Sequence, residues 1–359
     1  LKVAEGSEIK SAVKTIIDQN STLDIQGGTV SIDDNDDWKG TISLGAGDTK
    51  GTLNYATTNT AGTLKAESGA LNLLDGSILN IQDPSQVANK VDVDIQKGAT
   101  VNLNSGSIFN LDSRDKWNGL IHIDGGKLTT DKVDNSVAGG VLQQVGGSIE
   151  LNNRSNILIS GDSYIQGGDV SLDGQSILHL AQNVTMNADN LSMSGNSTLN
   201  TMNGSIESSN MTNLNVDFVN NFAIDIAPRD KVGDTYVINN IVGTNGGTLN
   251  ISDFNFVGLA PIDRNIKLQV FDANSISDVD FTATDKKIFT PIGNYHLLSQ
   301  GGGAYTASLA DYNPQVFRGQ VATMAAYNHQ LLVDDMLTNH FILPNERLID
   351  SAALANKSA

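Results

Sequence analysis

Short runs of alternating apolar and polar residues fill most of the chain. "TVSI", "TISL", "ALNL" and "VDVDI" read apolar, polar, apolar, the period-two signature of a strand with one buried face. A glycine followed by a small or polar residue and then Val, Ile or Leu opens many of them, as at Gly28-Thr29-Val30, Gly40-Thr41-Ile42, Gly76-Ser77-Ile78 and Gly147-Ser148-Ile149. Gly and Asn between the runs act as turn punctuation. A longer template also returns: "NSTLDI" at 20–25, "GSILNI" at 76–81, "GATVNL" at 98–103, "GSIFNL" at 106–111, "QSILHL" at 175–180 and "NSTLNT" at 196–201. Two neighbouring pairs of copies are separated by 22 and 21 residues, 76 to 98 and 175 to 196.

A strand-built repeat of about 20 to 25 residues marks a parallel β-solenoid. No single turn of chain buries its apolar face alone, whereas rungs stacked about 4.8 Å apart do. The competing architecture is a sandwich with turn signals every 8 to 12 residues or so. The returning template, the abundant Asn and Gly and the scarcity of Pro before residue 220 favour the solenoid. The expected fold class is therefore all-β, a right-handed parallel β-helix, with repeats over 1–214. Residues 215–312 carry longer runs with more Phe and Pro and are expected to form a β cap hiding the open strand edges. From Asn313-Pro314, Phe317, Val321, Met324, Leu331, Leu332 and Met336 follow helical spacing. Residues 313–359 are thus expected to hold a terminal α-helix and a linker, with His329 and His340 on its exposed side.

The fifth template position holds Asp24, Asn80, Asn102, Asn110, His179 and Asn200. A polar side chain recurring at one register can bond to its copy above and below, so His179 is read as a rung in an asparagine slot. The stretch "SIDDNDDWKG" at 31–40 raises a sharper question. Asp33, Asn35 and Asp37 begin like a calcium loop, but such a loop needs Gly at its sixth position and a bidentate Glu at its twelfth. Trp38 occupies the sixth position, and no such Glu follows. "IDDNDDWKGTISL" returns as "LDSRDKWNGLIHI" 79 residues later, keeping Asp33 as Asp112, Asp36 as Asp115, Trp38 as Trp117 and Gly40 as Gly119, while Asp34, Asn35 and Asp37 become Ser113, Arg114 and Lys116. This pattern predicts a turn in which Asp accepts backbone N–H bonds and Trp lies over an apolar flank. Trp38 and Trp117 are also the candidate sugar-stacking residues.

The 359 residues are 39% apolar, carry a net charge of −18 and include no cysteine. The charge argues against nucleic acid and against anionic membrane surfaces. The missing cysteines exclude disulfides, thiolate metal sites and a Cys nucleophile. No stretch of 18 apolar residues spans a membrane as a helix. The chain starts at Leu1 without a signal-peptide pattern, which reads as a processed or excised piece of something longer.

At its end, "YNPQVFRGQVATMAAYNHQLLVDDMLTNHF" resembles the segment that closes autotransporter passenger domains ahead of their outer-membrane β-barrel. Tyr312 and Pro314 match that segment. Asn313 stands where Arg is usual and Gln315 where Glu is usual. "GDTYVI" at 233–238 and "GNYHLL…GGGAYTASL" are similar to the autochaperone cap of a pertactin-like passenger. The resemblance implies type V secretion and a Gram-negative outer-membrane or extracellular location. It further implies a barrel after Ala359 as the only membrane contact, and a role in cell adhesion or virulence.

Several such passengers are enzymes. Their serine proteases use G-D-S-G, whereas Gly161-Asp162-Ser163-Tyr164 lacks the second Gly; a lipase-type G-D-S-L on a helical N-terminal domain is missing. Polysaccharide-acting β-helices pair aspartates on adjacent coils, and Asp92 and Asp94 share one outward strand face here, which reads as a solvated acidic edge. No P-loop, H-E-x-x-H or G-x-G-x-x-G stands in the required context. The expectation is an adhesin or self-association module without catalysis, cofactor or metal. Its partners would be a host or neighbouring-cell surface protein or glycan, or another copy of itself. A polysaccharide-acting enzyme and a passive stalk for an upstream binding domain are the alternatives.

Overall fold

A computed structural model describes residues 1–10, 14–33, 36–45, 51–55, 69–81, 86–87, 91–136, 139–259, 261, 263–291, 293–312 and 330. Apart from Gln330, the helix expected after Asn313, with His329 and His340, lies outside the described residues.

The described chain is a parallel β-solenoid whose strands stack in three columns. One column runs through Lys2–Val3, Thr22–Ile25, Thr41–Leu44, Gly69–Leu73, Val91–Ile95 and Lys116–Trp117, every pair parallel. The next runs through Glu8–Ile9, Thr29–Ile32, Thr52–Tyr55, Ile78–Ile81, Thr100–Asn104, Leu120–Asp124 and Val141–Val145. The third runs through Gln86–Val87, Ile108–Asp112, Lys127–Asp131, Ser148–Asn152 and Asp169–Leu172.

Alternation decides which side of each strand turns inward. Leu53, Leu79, Val101, Ile121 and Leu142 pair in register from rung to rung, and each is 1% exposed or less. Phe109, Leu128, Ile149, Val170, Leu191 and Leu214 form an equivalent inner stack. Burying each such side chain stabilises the fold by roughly 1.5–3 kcal/mol, so the core is a line of like residues shared by neighbouring coils.

The parallel ladder continues past residue 214, which falls inside the strand Ser208–Ala227. That 20-residue strand and the 22-residue strand Thr235–Phe256 pass through corners without a turn. The change of composition coincides with this widening. Phe222, Tyr236 and Phe271 meet inside, with ring centroids 4.9 to 5.4 Å apart, and Phe281 and Tyr305 extend the cluster. Asn265–Gln269 pairs antiparallel with Ala304–Ser308. Residues 1–288 and 296–308 make one compact unit; residues 289–295 and 309–359 make a second, in which Thr290 closes a turn by donating to Gly293 O at 2.6 Å.

Candidate functional site

The acidic stretch around Trp38 folds as a corner, and its echo folds the same way. Asp36 accepts the N–H groups of Thr15 and Asp33 at 2.5 and 2.8 Å. Asp115 accepts those of Val93 and Asp112 at 2.7 and 2.6 Å. Each carboxylate thus ties its turn to the coil below. The indole N–H donates to Gly40 O in one copy and to Gly119 O in the other, both at 3.0 Å. Glycine is required there: a Cβ on Gly119 would sit 2.6 Å from the carbonyl oxygens of Ala99 and Gln96. Burial pushes the Asp36 carboxyl up, against its two N–H bonds. The same cause raises Asp115 to about 6. Trp38 and Trp117 are only 6% and 2% exposed. Their rings pack into the corner and offer no open face to a sugar, so the sugar-stacking role expected for them gives way to packing. Asp34 and Asn35 lie outside the described residues.

The two corners sit on different columns. Trp38 pairs beside Ile17. Trp117 pairs beside Ile95, whose column continues to Leu73 and Leu44. Leu44 belongs to the strand that follows Trp38 in the chain. The 79-residue offset therefore carries the corner onto a neighbouring face of the solenoid.

Polar columns line the outside. Asn102 donates to Asn80 at 2.7 Å and Asn80 to Asn54 at 2.8 Å. Asn240, Asn213, Asn190 and Asp169 form a chain of donors at 3.0, 2.8 and 2.6 Å. Asn250, Asn221 and Asn196 form another, both bonds 2.9 Å. His179 is a rung: its Nε2 lies 2.8 Å from Asn156 Oδ1 and its Nδ1 3.0 Å from Asn200 Nδ2. Burial lowers its pKa, with Asp134 acting the other way, which suits a neutral ring between two amides. The shared template slot does not make one column, however. Asn110 stands beside Thr129 and Asp24 beside Ser43.

One recurring residue escaped the sequence reading. The buried serine after the turn donates back across it: Ser77 to Leu74 O, Ser107 to Asn104 O, Ser155 to Asn152 O, Ser176 to Asp173 O and Ser197 to Ser194 O, at 2.5 to 2.8 Å. Ser163 of the G-D-S-Y stretch does the same to Ser160 O at 2.5 Å and also accepts the Leu142 N–H at 3.0 Å. Its hydroxyl is thus engaged in closing a corner. The signal was present in the "GS" and "QS" of the template. Ser163→Ala should destabilise the protein by about 1–3 kcal/mol, because the Leu142 N–H is left buried without an acceptor. Ser176→Ala, which strands no N–H, should cost less; urea midpoints of the two variants check this.

On the outer surface Arg114 joins Asp92 at 2.9 Å and Asp112 at 2.8 Å. Burial alone would raise the Asp112 carboxyl, but the hydrogen bonds and charge of Arg114 outweigh it and hold Asp112 below the usual range. Asp94 lies on the same strand as Asp92. A recess of about 600 Å³ is lined by Ala99, Leu120 and Val141 together with Lys97 and Asn118. Among the described residues no three His, Asp or Glu side chains converge as a metal site would require.

These features define a parallel β-solenoid with hydrogen-bonded polar columns on its outer faces. No protein-family model matches the chain, and no curated protein matches it.

Proposed function

We propose that this chain is the passenger of an autotransporter-type surface protein, acting as an adhesin or self-association module without catalysis. The observation that carries this reading is the outer surface. Amide and carboxylate side chains are held in register along the solenoid by one another, as in the Asp169–Asn190–Asn213–Asn240 column. Such a surface is rigid, repetitive and rich in donors and acceptors, which suits many weak polar contacts to a partner protein, a glycan or a second copy. The terminal resemblance at Tyr312 and Pro314 supports display at a Gram-negative cell surface.

A net charge of −18 makes copies repel. Screening shortens the reach of that repulsion from about 10 Å at 0.1 M salt to about 3 Å at 1 M. Cells displaying the chain should clump, and clumping should increase with salt. Cells that stay dispersed at every salt concentration would leave self-association without support, and a glycan and protein binding screen would then decide whether an adhesive role remains.

The second reading, a polysaccharide-acting β-helix, draws on the Asp92–Arg114–Asp112 group. It requires cleavage of an acidic glycan that Asp92→Ala or Asp94→Ala abolishes.

A further inference from the structure

Two carboxylates lie inside the solenoid where its coils widen. Asp225 is 0% exposed and Asp234 is 1% exposed. They hold the strand-free segment between Thr201 and Glu207. Asp225 Oδ2 accepts the N–H groups of Asn203 and Gly204 at 2.8 and 2.6 Å. Asp234 Oδ1 accepts the Glu207 N–H at 2.9 Å, and its Oδ2 accepts the Asp225 N–H at 2.9 Å and the Thr201 hydroxyl at 2.7 Å. The Tyr236 hydroxyl stands 2.9 Å from Thr201 Oγ1, completing a Tyr–Thr–Asp chain. The backbones are clipped together as well, Asp234 N–H donating to Asp225 O at 2.9 Å.

The two acids are not equivalent. Both oxygens of Asp234 are in use. Asp225 Oδ1 is buried and has no hydrogen-bond partner. A buried charge is costly, and two neighbouring carboxylates cannot both ionise cheaply. A proton placed on Asp225 Oδ1 displaces no donor, whereas one on Asp234 must displace an N–H or the Thr201 hydroxyl. The Ser205 N–H and the Asn255 amide also reach the Asp225 carboxyl and favour its charged form, but burial outweighs them; turned over, that amide offers an oxygen to such a proton. The other titratable groups around the pair are Tyr236 and Glu207; Arg229, Asp230 and Lys231 occupy the connection between the two acids.

We infer that this acid pair keeps one proton, carried on Asp225 Oδ1, and that its loss as pH rises destabilises the coils that hold residues 201–207. Burial raises both carboxyls, Asp234 to about 6. The folded pair therefore keeps a proton that the unfolded chain, with carboxyls near 3.8, has already given up. The contribution is full below the unfolded value and falls as pH rises through the folded one.

The test compares Asp225→Asn with Asp234→Asn at pH 7.5, alongside a carboxyl-carbon NMR titration of the full chain. Asparagine at 225 mimics the neutral acid, so its melting temperature should match or exceed the parent's, and a carboxyl resonance titrating above pH 5.5 should disappear. Asparagine at 234 turns N–H donors against N–H donors and should lower the melting temperature by roughly 5 °C or more. Equal losses in the two variants, or no Asp225 or Asp234 carboxyl titrating above pH 5.5, would overturn the inference.

Discussion

Trp117→Ala should lower the unfolding free energy by about 3–5 kcal/mol, the range for deleting a large buried aromatic. The ring is 2% exposed, and its N–H is bound to Gly119 O. It also lies directly under Gly140: a Cβ there would come within 2.1 Å of the indole nitrogen. Gly140→Ala should therefore cost about 1–3 kcal/mol by overpacking. In the Trp117→Ala background the same methyl enters the vacated space, so the two losses should fail to add. Urea unfolding followed by circular dichroism checks all three variants. A loss below about 1 kcal/mol for Trp117→Ala, well under the expected range, would mean that the ring is not part of the core.

The second large effect is a fall in the stability contributed by the Asp115 corner as pH rises from about 4 to about 7, the reverse of the usual carboxylate contribution. Asp115 is held at about 6 by burial, the opposing N–H bonds being weaker, and Asp36 is raised for the same reason. The unfolded carboxyls titrate near 3.8. Between these values the folded state binds more protons, and stability declines with pH. For Asp115 the decline is at most about 3 kcal/mol, taking about 1.4 kcal/mol per pH unit between the two values. Asp115→Ala removes the carboxyl but strands the Val93 N–H, so it should be less stable than the parent at pH 4 and closer to it at pH 7. Thermal melts across that range test the sign. His179, lowered by burial, works the other way in this window, so the comparison with the variant decides: a gap between parent and Asp115→Ala that does not narrow from pH 4 to 7 would contradict the burial of this corner.

Much of this structure could be read from the chain because the core is repetitive. Alternation fixes which side of Ile78–Ile81 or Thr100–Asn104 turns inward, and a glycine or asparagine at the turn fixes where the next strand begins. The replacement of Asn35 and Asp37 by Arg114 and Lys116 in the second tryptophan corner showed that a metal loop was not being copied. What could not be read was the column to which each copy belongs. Every face uses the same corner chemistry, so Asn102 and Asn110 occupy one template slot yet stand on successive faces of a single coil. The 79-residue echo, which moves the corner to a neighbouring face, reflects the same degeneracy. The buried serines were hidden by their smallness, since Ser after Gly reads as turn composition until its hydroxyl is seen reaching back. The acid pair was hidden by distance, because Asp225 and Asp234 act on residues 201–207 through the next coil.

Because the chain contains no cysteine, paired substitutions test the stacking directly. Asn80 and Asn102 are 22 residues apart and adjacent on parallel rungs, a spacing of about 4.8 Å within the range of roughly 4.4 to 6.8 Å that a disulfide tolerates. Asn80→Cys with Asn102→Cys should cross-link readily under mild oxidation, whereas Asn102→Cys with Asn110→Cys, nearer in sequence but on different faces, should remain reduced. Cross-linking of the second pair and not the first would contradict the stacked-rung solenoid.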